Sequence, residues 1–161
     1  MAKKLLAGAA AVVGLSIAML GGVTAGASAA PAAAPISAAV TCTGAGCDNK
    51  DPYDSGCGAS RVNAGQKATV KGTFILYYSS TCKTNWIEVP SYAGGSTRTD
   101  GKLELAAWDK GRGKFLRFLA SSSAGRHYGN MVYSPGDSCA VGLGDWNGGS
   151  TWEVAIESSG C

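Results

Sequence analysis

The sequence predicts an all-β fold, a small disulfide-stabilised sandwich or barrel of about six or seven short strands. Three observations carry this prediction. Apolar and aromatic residues form short runs that alternate with polar ones, glycine-rich turns separate these runs, and no long stretch has the 3.6-residue period of a helix. The chain also has six cysteines among its 161 residues, which would provide cross-links for a domain with a modest core.

The first 29 residues have the organisation of a secretory signal peptide. Lys3 and Lys4 precede an apolar segment rich in Ala, Gly and Leu, and Ala27-Ser28-Ala29 forms a small-x-small cleavage site. The Ala/Pro-rich residues 30–40 predict a disordered spacer, and residues 41–161 a single disulfide-rich β-domain. A permanent membrane anchor is the alternative, but glycines dilute the apolar segment and no basic cluster follows it. We therefore expect a secreted protein, extracellular or associated with the cell wall, with no membrane contact after cleavage.

All cysteines follow the leader, which predicts three disulfides formed in an oxidising compartment, among Cys42, Cys47, Cys57, Cys82, Cys139 and Cys161. Cys139 and Cys161 flank the last predicted strand, so we expect them to pair. The pairing of the other four stays open. A zinc site is the alternative, but the chain has one histidine and export disfavours a thiolate cluster. We expect no metal and no cofactor.

Net charge argues against two classes of partner. Without the two lysines of the leader, basic and acidic residues are nearly equal in number. We therefore expect neither nucleic acid nor an anionic membrane as a partner. The one basic cluster (Lys110, Arg112, Lys114 and Arg117) is interpreted as charges on a solvated hairpin.

The strands follow from local patterns. Residues 42–65 are rich in turn formers and cysteine, which predicts a disulfide-tied loop region. Residues 70–78 form a β-branched and aromatic run, typical of a buried strand. Residues 85–89 predict the next strand, with Ile87 and Val89 on one face and Trp86 and Glu88 on the other.

A hairpin is predicted further along, from a strand at 103–107 through a glycine-rich turn at 110–113 to a strand at 114–119. A short helix is the alternative for the second arm, but no cap is evident. Residues 130–133 and 140–143 are short strand candidates. The last strand has Trp152, Val154 and Ile156 on one half-buried face, and we expect both Trp152 and Trp86 in the core.

Five short motifs occur in order over residues 42–86: Cys42-x-Gly44-x-x-Cys47, Lys50-Asp51-Pro52, Gly56-Cys57, Ile75-Leu76-Tyr77-Tyr78-Ser79 and Cys82-x-x-x-Trp86. This segment resembles the secreted bacterial family catalogued as domain of unknown function 2690. Asn49 stands where that family usually has Gly, and Tyr77 where it has Arg. The segment from Tyr128 to Cys139 is similar to spore-associated proteins of filamentous actinomycetes. The resemblance implies a secreted actinobacterial protein, and neither family supplies a catalytic residue to transfer.

A tryptophan at a polar turn gives the candidate binding site. Trp146 stands between Asp145 and Asn147 ahead of two glycines, so we expect its ring to be exposed. An exposed ring beside Asp and Asn suits a sugar, held by stacking and hydrogen bonds, or anchors a protein contact. The expected function is therefore a non-catalytic extracellular or cell-envelope module, with a spore association in view of the second likeness. Its partner is left open between cell-wall glycan and another extracellular protein.

Two other functions stay open. A secreted inhibitor or toxin could act through a disulfide-held loop between Cys47 and Cys57, because a stiff loop loses little entropy on binding. A small secreted hydrolase could use His127, the only histidine, as general acid or base. The order Glu, Arg, His is that of small microbial ribonucleases, with these candidates for the first two positions: Glu88 or Glu104, and Arg112 or Arg117.

Overall fold

The computed structural model describes residues 39–136 and 138–161. The predicted signal peptide and all but the end of the predicted spacer lie outside these residues. Over the described ranges, no helix is long and apolar enough to cross a membrane.

The described residues form nine strands in two antiparallel sheets, which confirms the predicted all-β sandwich. The strands are β1 (Arg61–Thr69), β2 (Gly72–Ser79), β3 (Thr84–Tyr92), β4 (Lys102–Asp109), β5 (Lys114–Ser121), β6 (Gly125–Tyr128), β7 (Val132–Tyr133), β8 (Ala140–Asp145) and β9 (Val154–Glu157). The first sheet has the order β1-β2-β3-β6, and β7 also pairs with β3. The second sheet has the order β5-β4-β8-β9.

Two strands were not predicted. The prediction of a loop region over 42–65 is wrong from Arg61 onwards, where β1 begins, although short 3-10 turns at Gly44–Cys47 and Cys57–Ser60 precede it. β1 lies at the edge of its sheet and is largely exposed, so it needs no apolar alternation. β6 is a four-residue strand that also lies at an edge of the first sheet. The strand prediction for residues 114–119 is correct, since β5 pairs with β4 along its whole length.

The core lies between the two sheets. Ile87 and Val89 of β3 point into it, and Trp86 points to the opposite face, as the alternation predicts. The core is completed by apolar side chains from both sheets, chiefly Phe74, Leu76, Leu103, Leu105, Val154 and Ile156. Burial of these side chains is the main source of stability for a sandwich of this size.

Glycines of β8 bring the two sheets together. A Cβ atom on Gly142 would lie 3.0 Å from Leu76 Cδ1, and one on Gly144 would lie 3.0 Å from Phe74 Cε1. The inward positions of β8 therefore have no room for side chains. Because successive strand residues face opposite ways, Val141 and Leu143 point away from the core, onto the outer face of the second sheet.

Three disulfides cross-link the described chain: Cys42–Cys47, Cys57–Cys82 and Cys139–Cys161. The last confirms the predicted pair and ties the C-terminus to the start of β8. The first two lie side by side over the outer face of the first sheet, packed with Trp86, and their four sulfur atoms lie within 4.8 Å of one another.

Candidate functional site

An aromatic groove crosses the outer face of the second sheet. Trp108 of β4, Phe115 of β5, Val141 and Leu143 of β8 line it together with Trp152, and the cavity has a volume of 510 Å³. Phe115 is 39% exposed, and both tryptophans are half-buried. Val141 and Leu143 reach the groove because they alternate along β8 with Gly142 and Gly144, which face the core.

Trp152 does not lie in the core. The chain is not yet extended there, since β9 begins at Val154, so the predicted alternation does not reach Trp152. The Trp152 ring packs instead on the outer cluster that contains Ala106, and it meets the Phe115 ring at a centroid distance of 6.0 Å. Trp86, by contrast, is fully buried as predicted.

A polar cavity of 340 Å³ adjoins the aromatic groove and shares Phe115 and Trp152 with it. Its charged groups form one chain of ion pairs. Arg98 pairs with Asp145, and its Nη1 lies 2.7 Å from Oε2 of Glu104. Arg117 pairs with the other oxygen of Glu104. Glu104 and Asp145 are buried, and without partners their carboxylates would have a large desolvation cost. The two guanidinium groups offset this cost.

Arg98 holds the loop that carries Trp152. Gly148 has a φ of +73°, and a Cβ on it would lie 3.2 Å from Arg98 Cα, so the β8–β9 loop rests directly on Arg98. The preceding β3–β4 loop is joined to the same loop, because Ser96 Oγ and the Thr97 N–H both donate to the Trp146 carbonyl at 2.8 Å. Two loops distant in sequence thus form one wall of the site.

The ion-pair chain changes the acidity of its members. Burial by itself would raise the pKa of Asp145, but hydrogen bonds from the N–H groups of Gly148 and Asn147, both at 2.8 Å, and from Arg98 lower it below its ordinary value. The hydrogen bond to Asp100, with further contributions from Asp145 and Glu104, raises the pKa of Arg98. Both groups therefore stay charged at neutral pH.

The three residues predicted for ligand binding lie next to this site, in roles that differ from the prediction. The expectation that Trp146 is exposed is wrong: the residue is 7% exposed, and its ring stacks on Phe74 in the core, with centroids 5.6 Å apart. The strand continues to Asp145, which directs the next side chain inward. Asp145 lines the polar cavity. Asn147 is exposed and accepts a hydrogen bond from Thr97 Oγ1 at 3.0 Å.

The residues proposed for a hydrolase are brought together only in part. His127 is opposite Val89 in the β3–β6 pair, whereas Glu88 is opposite Tyr128, so His127 and Glu88 face different sides of the first sheet. The His127 Nε2 atom lies 2.8 Å from the Ser123 carbonyl oxygen. Of the other candidates, Glu104 and Arg117 pair with each other, and Arg112 pairs with Asp48.

The loop between Cys47 and Cys57 is held at both ends, though not by a bond between these two residues. Asp51 Oδ1 accepts the N–H of Tyr53 at 2.7 Å and of Asp54 at 3.0 Å, which fixes a turn. The Tyr53 hydroxyl donates to the buried Glu88. This loop therefore covers the outer face of the first sheet, and it stays a candidate for the inhibitor or toxin function.

The basic cluster of the β4–β5 hairpin is largely paired. Lys110 pairs with Glu157, Arg112 with Asp48 and Arg117 with Glu104, across three different parts of the chain. The Lys110 ammonium also lies 5.7 Å from the centroid of the Trp108 ring. Of these charges, Lys110 lines the aromatic groove and Arg117 lines the polar cavity beside it.

None of the residues that line the groove was predicted as a binding residue, although Asp145, which lines the adjoining cavity, was. They come from four separated segments, and none carries a motif. The available signal was the alternation of glycine with Val and Leu in β8, which places apolar side chains on one face and an empty surface on the other.

Fold and site together define a disulfide-linked β-sandwich with an aromatic groove on one outer face. A family model described as "Protein of unknown function (DUF2690)" matches residues 45–141, more than half of the chain. The chain belongs to this family, as the motifs of residues 42–86 indicate. No curated protein and no solved structure matches it. Nothing in these comparisons supports the likeness to spore-associated proteins, and Trp152 lies beyond the matched segment.

Proposed function

We propose that this protein is a non-catalytic extracellular module that binds the cell envelope through the aromatic groove. The observation that carries the proposal is the presence of three aromatic rings, Trp108, Phe115 and Trp152, on the outer face of a sheet where polar residues normally meet water. A concave surface lined by aromatic and other apolar side chains is typical of ligand-binding sites on proteins.

The surroundings of the groove support binding rather than a purely structural role. The polar cavity beside the rings offers guanidinium donors and carboxylate acceptors within reach of the same ligand. Binding sites commonly combine such apolar walls with a few placed polar groups. The three disulfides are consistent with a protein that works outside the cell.

A sedimentation assay with purified cell walls tests the proposal. The exported protein is incubated with walls from an actinobacterium, and the bound fraction is compared with that of the double variant Phe115→Ala/Trp152→Ala. We expect the wild type to sediment with the walls and the double variant to stay in solution. Val70→Ser is the matched control, because Val70 is 90% exposed in the β1–β2 turn and lies outside the groove.

The result also separates the other functions. Fractionation of culture medium, wall and spores should place the wild-type protein on the wall or spores. Wild-type protein that is found only in the medium, and that binds walls no better than the double variant, contradicts the proposal and favours the inhibitor or toxin function.

A further inference from the structure

We infer that the ligand of the aromatic groove is a glycan chain without net charge, long enough to reach from the polar cavity to Trp108. This inference rests on the proposed function and names the class of its ligand. Three properties of the site support it: its charged side chains are paired, aromatic rings lie beside hydrogen-bonding groups, and the site is longer than one sugar.

The charges of the site are balanced. Every charged side chain that lines the groove or the adjoining cavity belongs to an ion pair: Arg98, Glu104, Arg117 and Asp145 in the cavity, and Lys110 with Glu157 at the far end of the groove. An anionic polymer would meet the carboxylates of Glu104 and Asp145 as well as the two guanidinium groups, so the site offers it no net electrostatic attraction. A neutral ligand leaves the pairs intact.

The ion pairs leave some carboxylate oxygens and guanidinium N–H groups free to form hydrogen bonds, and sugar hydroxyl groups can bind both. A sugar hydroxyl donates one hydrogen bond and accepts others, so it can bind a carboxylate oxygen and a guanidinium N–H at the same time. Hydrogen bonds to charged groups are stronger than those between neutral groups. Arg117 is the accessible member of the network, with 60% of its side chain exposed, and it lies in the cavity next to Trp152.

The aromatic rings match the apolar faces of sugar rings. The C–H groups on one face of a pyranose pack against an aromatic ring, whose face is electron-rich. A protein partner fits less well, because aspartate and glutamate are depleted at protein interfaces. Here two carboxylates, those of Glu104 and Asp145, line the cavity that adjoins the rings.

The length of the site indicates a chain rather than a single sugar. Glu104 and Trp108 are four residues apart in β4, and both point to the outer face. That spacing corresponds to about 13 Å along a strand. This exceeds the width of one sugar ring, so a ligand that contacts both ends of the site contains several linked sugars.

Calorimetric titration with defined oligosaccharides tests the inference. The neutral probes are hexasaccharides of glucose and of N-acetylglucosamine, and the anionic probe is a hexasaccharide of galacturonic acid. We expect the wild-type protein to bind a neutral probe with an affinity that changes little between low and high sodium chloride. Trp152→Ala should weaken binding roughly ten-fold or more, Trp152→Phe less, and Val70→Ser not at all. Arg117→Gln should weaken binding while leaving its salt dependence small.

Each contrary result has a separate meaning. Preferential binding of the anionic probe, with an affinity that falls as salt rises, overturns the inference because it indicates an ionic ligand. Failure of all three probes, while walls still retain the protein through the groove, also overturns it and leaves the proposed function in place. Failure of the probes together with failure of wall binding overturns both. Thermal unfolding of each variant shows whether its fold is intact.

Discussion

The rings of Phe115 and Trp152 pack against each other at a centroid distance of 6.0 Å, although they come from opposite edges of the second sheet. Phe115 lies in edge strand β5, and Trp152 lies two residues before the start of edge strand β9. The loop before β9 therefore turns back over the outer face of the sheet, where small Ala106 leaves space for the Trp152 ring. The site depends on the position of this loop, which Arg98 holds together with the hydrogen bonds from Ser96 and Thr97 to the Trp146 carbonyl.

Replacement of Arg98 by Met should cost about 3 kcal/mol of folding free energy, because it leaves buried Asp145 without its guanidinium partner and Glu104 with only one. Urea unfolding of the oxidised protein measures the loss. Lys110→Ala is the control, since its pair with Glu157 is exposed and should contribute less than about 1 kcal/mol. Equal losses in the two variants would show that the Arg98 network is not a buried unit.

Asp145→Asn should destabilise the protein near neutral pH, and the difference from wild type should shrink in acid. The pKa of Asp145 is lower in the folded protein than its ordinary value. Its ionised form therefore stabilises the fold above the ordinary Asp pKa of about 3.9, and this contribution is lost as pH falls from there through the folded-state pKa. Thermal unfolding of both proteins from neutral pH to below about pH 4 provides the comparison. A difference that does not change with pH would contradict the prediction.

Tyr53 should stay protonated in the folded protein at pH values where ordinary tyrosines ionise. Burial raises its pKa, and the hydrogen bond to Glu88 adds to the effect. A raised pKa stabilises the fold below the ordinary Tyr pKa of about 10, and the contribution is lost as pH rises above that value. Absorbance titration of phenolate in wild type and Tyr53→Phe should give equal amplitudes near pH 11 while both are folded. A smaller amplitude in the variant would show that Tyr53 ionises normally.

Loss of the C-terminal disulfide should cost more than loss of the N-terminal one. Cys139–Cys161 spans 22 residues and Cys42–Cys47 spans 5. The chain-entropy argument gives about 3 kcal/mol for the first bond and about 2 kcal/mol for the second. The double serine variants at each pair, unfolded thermally under identical conditions, test this order. A larger loss for the Cys42–Cys47 variant would mean that this disulfide acts mainly by holding the loop over the first sheet.

Gly144→Ala should destabilise the sandwich by about 1–3 kcal/mol, because the added methyl group would lie 3.0 Å from Phe74 Cε1 in a closely packed core. Gly46→Ala is the matched control, since a Cβ there meets nothing within 4 Å. We expect this control to change stability by less than about 0.5 kcal/mol. A Gly144→Ala protein as stable as wild type would indicate that the two sheets can separate slightly without cost.

Parts of the fold could be predicted because their signals are local. The faces of β3 follow from the alternation around Ile87, and the Cys139–Cys161 pair follows from the position of its members beside the last strand. β1 gave no such signal, because an exposed edge strand is held by backbone hydrogen bonds to β2 and needs no apolar side. The position of Trp146 was missed for another reason. The polar residues and glycines around it indicate a turn, but β8 extends to Asp145 and directs the Trp146 side chain inward before the turn is made.

The sequence alone determined the class of fold and the chemistry of its cross-links, since alternation and cysteine content are properties of short segments and of composition. Only the tertiary structure decided where the candidate site lies. Trp108, Phe115 and Trp152 become neighbours because three strands and a loop meet on one face. The inner glycines of β8 let the two sheets approach each other, and the alternating Val141 and Leu143 contribute apolar side chains to the outer face. The alternation in β8 is a local pattern, but the meeting of the three strands and the loop depends on contacts between residues distant in the chain.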